Sequence, residues 1–564
     1  MKYVNKNDWT TSDDLVLEDS ALLVVKSAEN RLVIAGPGAG KTELLAQRAS
    51  YLLQTNECKA PQRILAISFK KDAATNLLER VQKRCGKELA LRFESMTYDA
   101  YFKNILDRFI NSLPDSHKPN SDYQVVQDCD SNGIDKLSFK NIAVLAKLIL
   151  ETNPLIVKSI QLTYSHVFLD EFQDTTTPQY DIVKICFQKS KAILTAVGDG
   201  KQRIMLWAGA RKTIFDDYIL DFNANIEELI MNHRSAPRLV AIQKSMYANL
   251  NESASNIQYS NKWNVDEGTA YIRYFPDTTI EATILTSEIN NLLDTGAKPR
   301  DICILVKQTP DQYCSEIITT LKKQGILARN EVVFQDLLKS DFVTLFLALF
   351  KLTIEERNAD LWDYVYNVFS ELNELNVDTP SSEYIAMTQY VKGLVEELIP
   401  LYNTITEKDN VKIIINIALK GIGYNKLAKL YPEYQDKHYF KEMLTQFHNL
   451  LWEEFSDYRD WNMAIDSFEG KYSIPIMTIH KSKGLEFDSI FFVGLEDAAF
   501  WSFSQQSQED KCAFFVALSR AKKRMDFTFC RGRKTRFNNQ QSNTTINELY
   551  EMLRKTDIVE EVEY

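Results

Sequence analysis

The sequence predicts an α/β protein: parallel sheets flanked by helices, in two units, each interrupted by a mainly helical insertion. Two observations carry this. Short β-rich apolar runs alternate with helical periodicity, first as LVIAG (Leu32 to Gly36), ILAISF (Ile64 to Phe69), HVFLD (His166 to Asp170) and AILTAV (Ala192 to Val197). A second set follows as YIRYF (Tyr271 to Phe275), ICILV (Ile302 to Val306), IPIMT (Ile474 to Thr478) and IFFVG (Ile490 to Gly494). Strands alternating with helices form parallel sheets, because each crossover helix returns the chain to the end of the sheet where the previous strand began.

The first of these runs leads into AGPGAGKT, residues Ala35, Gly36, Pro37, Gly38, Ala39, Gly40, Lys41 and Thr42, and then into an amphipathic stretch, Glu43 to Leu53. Strand, glycine-rich loop and helix in that order make a phosphate cradle. The glycines let backbone N–H groups turn inward, Lys41 adds charge against the β and γ groups, and Thr42 offers a hydroxyl to Mg²⁺. Ala35 stands where such loops usually begin with glycine. The chain is therefore expected to bind a nucleoside triphosphate.

Domain boundaries follow from the interruptions. The first α/β unit is expected over 1–104 and 151–215, with a short helical insertion over 105–150. The second is expected over 216–356 and 466–540, with a helical insertion over 357–465 and an acidic C-terminal tail over 541–564. The larger insertion carries a loop signal at NVDTPSS (Asn376 to Ser382) and the aromatics Trp362, Trp452 and Trp461, which at helical spacing read as core.

With 564 residues the chain exceeds one core and predicts roughly three or four compact units. Its 45% apolar and 25% charged content is that of a globular protein. A net charge of -11 argues against wholesale coating of nucleic acid, though a basic groove within an acidic shell is allowed. Eight cysteines without any C-x-x-C indicate neither a zinc knuckle nor an iron–sulfur cluster. The polar opening MKYVNKNDWTTSDD is no signal peptide, and no apolar run reaches the roughly 18 residues of a membrane span. A cytoplasmic protein with no membrane partner is expected.

Triphosphate hydrolysis needs a metal ligand, a group that orients or deprotonates water, and positive charge where the transition state becomes more negative. HVFLDEFQD supplies the first two: its apolar run ends in Asp170, placed for Mg²⁺, and Glu171, placed for an attacking water.

AGPGAGKT, ILAISFKKDAA, VFLDEFQDTTTPQY, AVGDGKQRIMLWAGA, NHRS, MTIHKSKGLEF and VALSRA occur in that order, between about residues 31 and 525. This ordered set resembles the motif series of the UvrD, Rep and PcrA family of superfamily 1 DNA helicases. The resemblance implies two RecA-like P-loop domains with ATP between them and 3′ to 5′ movement along single-stranded or partly duplex DNA. By position it implies that Lys41 and Thr42 hold phosphate and Mg²⁺, Asp170 holds Mg²⁺, Glu171 is the catalytic base, and Gln202 senses the γ-phosphate. Arg234 and Arg520 match the arginines that the second domain brings to the γ-phosphate, and Glu486 matches an acidic nucleotide contact. Phe69, Lys70, Trp207 and His480 match the DNA side.

Departures gather at the base pocket. Ser20 stands where relatives read adenine with glutamine, Glu43 where an arginine flanks the base, and His233 where a tyrosine does. In the groove, Met205 and Ala208 replace a tyrosine and an arginine. Hydrolysis is thus better supported than strict preference for ATP, and a DNA- or partner-stimulated NTPase sensor without processive unwinding is the alternative reading. The stretch after Arg520 is too short for a nuclease, and the basic run AKKRMDFTFCRGRKTR within it reads as a solvated face. NKND (Asn5 to Asp8) precedes the phosphate loop, which disfavours a GTPase. Reduced insertions resemble those of compact UvrD-like proteins that act beside a separate nuclease in antiphage systems such as Gabija, which implies a protein partner.

Overall fold

The computed structural model describes residues 3–126, 134–250, 257–355, 357–376, 379–402, 404–535 and 540–564. The chain forms two compact units. One comprises Met1–Lys118, Lys140–Ala328 and Ile476–Tyr564, and the other Pro119–Phe139 and Arg329–Pro475.

The first unit holds a six-stranded parallel sheet and most of a seven-stranded one. The strands of the six-stranded sheet are β1 (Arg31–Ala35), β2 (Arg63–Ser68), β3 (Phe93–Thr97), β4 (Tyr164–Leu169), β5 (Ile193–Gly198) and β6 (Asn225–Leu229), in the order β3-β2-β4-β5-β1-β6. Strand β1 is paired on both sides, Val33 lying opposite Val197 and Glu227, so its carboxyl end is fixed from two directions. The helix that follows, Lys41–Gln54, buries Leu44, Leu45, Ala46, Ala49, Leu52 and Leu53 in the first lobe's core. Arg48 lies inside that core as well. Its guanidinium donates to the carbonyls of Val25 at 3.1 Å and Ser27 at 3.0 Å, which satisfies the end of helix Asp19–Lys26.

The second sheet contains β7 (Thr269–Phe275), β8 (Ile302–Val306), β9 (Ala328–Asn330), β10 (Ile474–Thr478), β11 (Phe487–Phe492), β12 (Ala521–Cys530) and β13 (Val559–Glu563), in the order β9-β10-β8-β11-β12-β7-β13. Every expected apolar run is a strand. Those not expected, β3, β6, β9, β12 and β13, carry polar or charged residues, because edge strands and strand ends face water.

Three expectations need correction. The first sheet runs on to Leu229, past the boundary at 215, because β6 pairs with β1. Residues 541–564 are acidic but no tail: they contain helix Asn547–Arg554, and β13 pairs in parallel with β7, Val559 opposite Ala270. The basic run from Ala521 is no solvated face either. It forms β12, with Met525 and Phe527 buried and Arg524 paired to Glu288 and Asp526; its last residue, Arg536, lies outside the described residues.

The second unit is mainly helical. Only 119–139 of the first insertion enters it, while helices Tyr98–Phe109 and Phe139–Thr152 belong almost wholly to the first unit. Its core gathers Phe342, Phe346, Phe350, Phe447 and Phe468 around Trp461, whose ring stacks on Phe455 at 4.1 Å. Trp362 and Trp452 pack against that core, as their spacing predicts. Of the NVDTPSS loop signal, Val377 and Asp378 lie outside the described residues. Among the described residues no helix is long and apolar enough to cross a membrane.

Candidate nucleotide-hydrolysis site

The phosphate loop joins β1 to helix Lys41–Gln54. Gly38 and Gly40 take φ of +69° and +79°, a region that costs side-chain-bearing residues energy. At Gly38 the reason is also steric: a Cβ would lie 2.5 Å from Asn232 Oδ1 and 2.6 Å from Arg234 Cβ. The segment after β6 thus presses directly on the loop, and the N–H of His233 donates to the Gly38 carbonyl at 2.9 Å. Lys41 Nζ donates back to the Ala35 carbonyl at 3.3 Å.

Two strands from β1 across β5, β4 ends in Leu169 and delivers Asp170, buried, then Glu171 with φ +47°. A left-handed glutamate costs about 1–3 kcal/mol unless its surroundings over-determine it. Here they do: Glu171 N–H donates to Asp170 Oδ1 at 2.9 Å, and Gln173 Nε2 donates to Glu171 Oε2 at 2.5 Å. Burial and the adjacent Glu171 charge push the Asp170 carboxyl up. Burial acts the same way on Glu171, but Lys41 and Lys483 outweigh it and hold that group low.

Gln173 connects the two carboxylates to the neighbouring strand. Its Oε1 accepts from Asp199 N–H at 3.0 Å, and Asp199 Oδ2 accepts from Gln202 Nε2 at 2.8 Å. Gln202 Oε1 then accepts from Arg520 Nη2 at 2.8 Å. Arg520 is buried; burial first, and Arg234 second, push it down to about 9, so it is still a cation at neutral pH. Arg234 donates through Nε to Glu486 at 2.7 Å and through Nη1 to the Ser519 carbonyl at 3.0 Å. A buried lysine completes the cluster: Lys483 Nζ pairs with Asp174, donates to the Gln202 carbonyl at 3.1 Å and lies 3.7 Å from Glu171 Oε2.

The structure therefore brings Lys41, Asp170, Glu171, Gln202, Arg234 and Arg520 together. Two expected nucleotide contacts are engaged elsewhere. Glu43 accepts from Arg80 at 2.7 Å and pairs with Arg84 at 2.8 Å, and Glu486 holds Arg234 and Lys522. His233 meets the loop through its backbone, with its side chain exposed. On the expected DNA side, Trp207 is 69% exposed and meets His480 edge-to-face at 6.4 Å, while Phe69 and Lys70 are half-buried. Sequence reasoning missed Gln173, Asp174, Asp199 and Lys483. The first two stand inside DEFQD itself, and polar residues so close behind an apolar strand were the available signal.

A triphosphate suits this chemistry, since glycine N–H groups, a helix N-terminus and Lys41 all favour anions. A divalent cation suits it too. Among the described residues no cluster of three His, Cys, Asp or Glu side chains forms a metal cage, and Mg²⁺ characteristically takes one or two protein ligands and completes its shell with phosphates and water. Thr42, in the first turn of the helix after the loop, and Asp170, at the end of β4, carry oxygens of the kind such a shell takes.

A phosphate loop, a strand-tip carboxylate pair and arginines arriving from beyond the first sheet define a two-lobed P-loop nucleoside triphosphatase. Two family models match the chain. The UvrD/REP helicase N-terminal domain matches residues 18–132 and 124–223, and the UvrD-like helicase C-terminal domain matches 228–451 and 425–532. Similar full-length proteins include a probable DNA helicase II homolog of Mycoplasma capricolum, 25% identical over 92% of this chain and 84% of its own length. DNA helicase II of Haemophilus influenzae is 23% identical, covering 90% and 82%, and the ATP-dependent DNA helicase PcrA of Staphylococcus aureus is 22% identical, covering 92% and 84%. The chain belongs to the UvrD-like helicase family and is an enzyme, a DNA-dependent ATPase of the helicase class.

Proposed function

We propose that this enzyme uses ATP and Mg²⁺ to move 3′ to 5′ along single-stranded DNA and to separate duplex ahead of it. The observation that carries the reading is the unbroken hydrogen-bonded path from Glu171 through Gln173, Asp199 and Gln202 to Arg520. It joins the group that would accept water's proton to a cation from the opposite lobe, so hydrolysis and closure depend on one another.

In this mechanism Lys41 and the loop N–H groups hold the β and γ phosphates, and Thr42 and Asp170 hold Mg²⁺, which when bound neutralises developing phosphate charge. Glu171 accepts the proton of the attacking water. Gln202 orients Arg520, and Arg520 and Arg234 meet the charge that accumulates on the terminal phosphoryl. Glu486 aims Arg234, and His233 borders the base. Trp207 stacks on a base, with Phe69, Lys70 and His480 beside it, a mode that tolerates any sequence because every base has a π-face.

Lys41→Ala tests the site: hydrolysis should vanish with and without single-stranded DNA, and retained hydrolysis refutes the assignment. A second reading is favoured by one observation, the groove positions Met205 and Ala208, which offer neither ring nor charge. It is a DNA- or partner-stimulated sensor that does not unwind processively. A strand-displacement assay run beside stimulated hydrolysis separates the two. We assign the biological setting to antiphage defence or repair alongside a separate nuclease, which affinity purification of the full chain from its host tests.

A further inference from the structure

Lys483 joins three functional elements that no other residue joins among the contacts described above. It follows the short helix Ile479–Ser482 behind β10 and is buried. Its ammonium is shared between Asp174, the Gln202 carbonyl at 3.1 Å and Glu171 at 3.7 Å. Its own carbonyl accepts from Lys70 Nζ at 2.9 Å, and Lys70 directly follows Phe69 at the end of β2. A lysine at the expected DNA groove is thus two residues from the expected base.

The charges make this more than packing. Asp174 is 1% exposed and its second carboxylate oxygen has no hydrogen-bond partner, so its charge is compensated first by the Lys483 ammonium paired to it and more weakly by Lys70. A buried carboxylate stripped of its cation is strongly destabilised, so the ammonium stays paired to Asp174 and a shift of its stem is taken up as a pivot about that carboxylate. Any displacement of the 483 backbone therefore changes how far the ammonium reaches toward Glu171.

We propose that Lys483 is a positioning residue through which a strand phosphate at Lys70 controls the placement of Glu171, making ATP hydrolysis respond to DNA. A phosphate competing for the Lys70 ammonium loosens its hold on the Lys483 carbonyl, and the short 483 turn transmits the shift. The inference rests on the reading of Glu171 as base and adds to it the route by which DNA stimulates.

The test compares wild type, Lys483→Ala, Lys483→Arg, Asp174→Asn and the Lys483→Ala/Asp174→Asn double variant, all as the full chain, with oligothymidylate as the strand. The readouts are kcat and KM for ATP with and without saturating oligonucleotide, and oligonucleotide affinity by anisotropy. In Lys483→Ala the ratio of stimulated to unstimulated kcat should fall about tenfold or more, within the 5–150-fold range of coupling energies, while KM and oligonucleotide affinity move less than about threefold. Lys483→Arg should restore part of the ratio, and the double variant should lose no more than the worse single. A wild-type ratio in Lys483→Ala overturns the proposal, as does an equal loss of both rates, which is what a merely structural lysine gives. Should Lys483→Ala fail to fold, Lys70→Met at saturating strand reads the same route, and an unchanged ratio there overturns it equally. Failure of the underlying reading shows separately, as hydrolysis that survives Glu171→Gln.

Discussion

Arg520 Nη2 donates to Gln202 Oε1 across 2.8 Å, and both side chains are buried. The same guanidinium donates through Nε to the Val516 carbonyl at 3.1 Å and through Nη2 to Ser519 Oγ at 2.9 Å. Three directions are satisfied at once by one planar fork, a task a lysine ammonium on a flexible stem cannot repeat. Arg520→Lys should lower kcat about 10²–10³-fold, near the lower end of what a γ-phosphate arginine supplies, with KM for ATP changed much less. Steady-state kinetics check this; a kcat within about fivefold of wild type would remove Arg520 from the transition state.

Trp207 follows Gln202 by five residues and is exposed, with its backbone N–H donating to Glu509 Oε1 at 3.4 Å and its ring against His480. Tryptophan is highly buried on average, and a ring this exposed leaves a face open to a base. Trp207→Ala should weaken oligothymidylate binding by about 1–3 kcal/mol, roughly 5–150-fold, and Trp207→Phe should keep most of the affinity. Anisotropy of a labelled strand measures both, and an unaltered affinity in the alanine variant refutes stacking.

These two sites differ in how far the sequence announced them. The cradle was legible because eight consecutive residues perform one task, and Asp170 and Glu171 because an apolar strand runs straight into them. Arg520 and Gln202 are far apart in the chain, and only the resemblance paired them. Asp174 had a signal in its place inside DEFQD, but Lys483 was invisible for a physical reason: a charged residue in sequence reads as solvated until the fold shows what it is buried against. Strands β12 and β13 were missed likewise: the lysines and arginine that open β12 mask its buried run from Met525 to Cys530, and β13, with no buried residue, has no apolar run to show.

His166 offers a test on stability independent of the site. On β4 it is 4% exposed, and burial, with Arg48 adding its charge, pushes the imidazole down to about 3. An unfolded histidine titrates near 6.5. Above that pH both states are neutral and the group contributes nothing. As pH falls from about 6.5 toward about 3, the unfolded chain takes a proton that the folded chain refuses, so stability drops by up to ~1.4 kcal/mol per pH unit from this group. His166→Asn should flatten the pH dependence of the urea midpoint between about 6.5 and 5. Parallel curves for variant and wild type would exclude His166 as a source of acid sensitivity.

Arg533 shows what the second lobe depends on. It lies between two buried carboxylates, donating through Nε to Glu496 at 3.0 Å and through Nη2 to Glu281, while Nη1 donates to the Tyr313 carbonyl at 3.1 Å. Glu496 also accepts from Cys530 N–H at 3.1 Å, and Thr528 Oγ1 donates to Glu281 at 2.5 Å, so the cluster ties β12 to helix Thr278–Asp294. Arg533→Met leaves two carboxylates facing each other without a cation and should cost about 3–5 kcal/mol. Replacing Arg533, Glu281 and Glu496 together with apolar residues of similar volume should recover most of that loss, because no buried charge then lacks its partner. Urea denaturation of the single and triple variants separates charge from shape. A triple variant as unstable as Arg533→Met would mean that the guanidinium's own packing, including its stacking over the Tyr313 ring at 5.1 Å, is what the lobe requires.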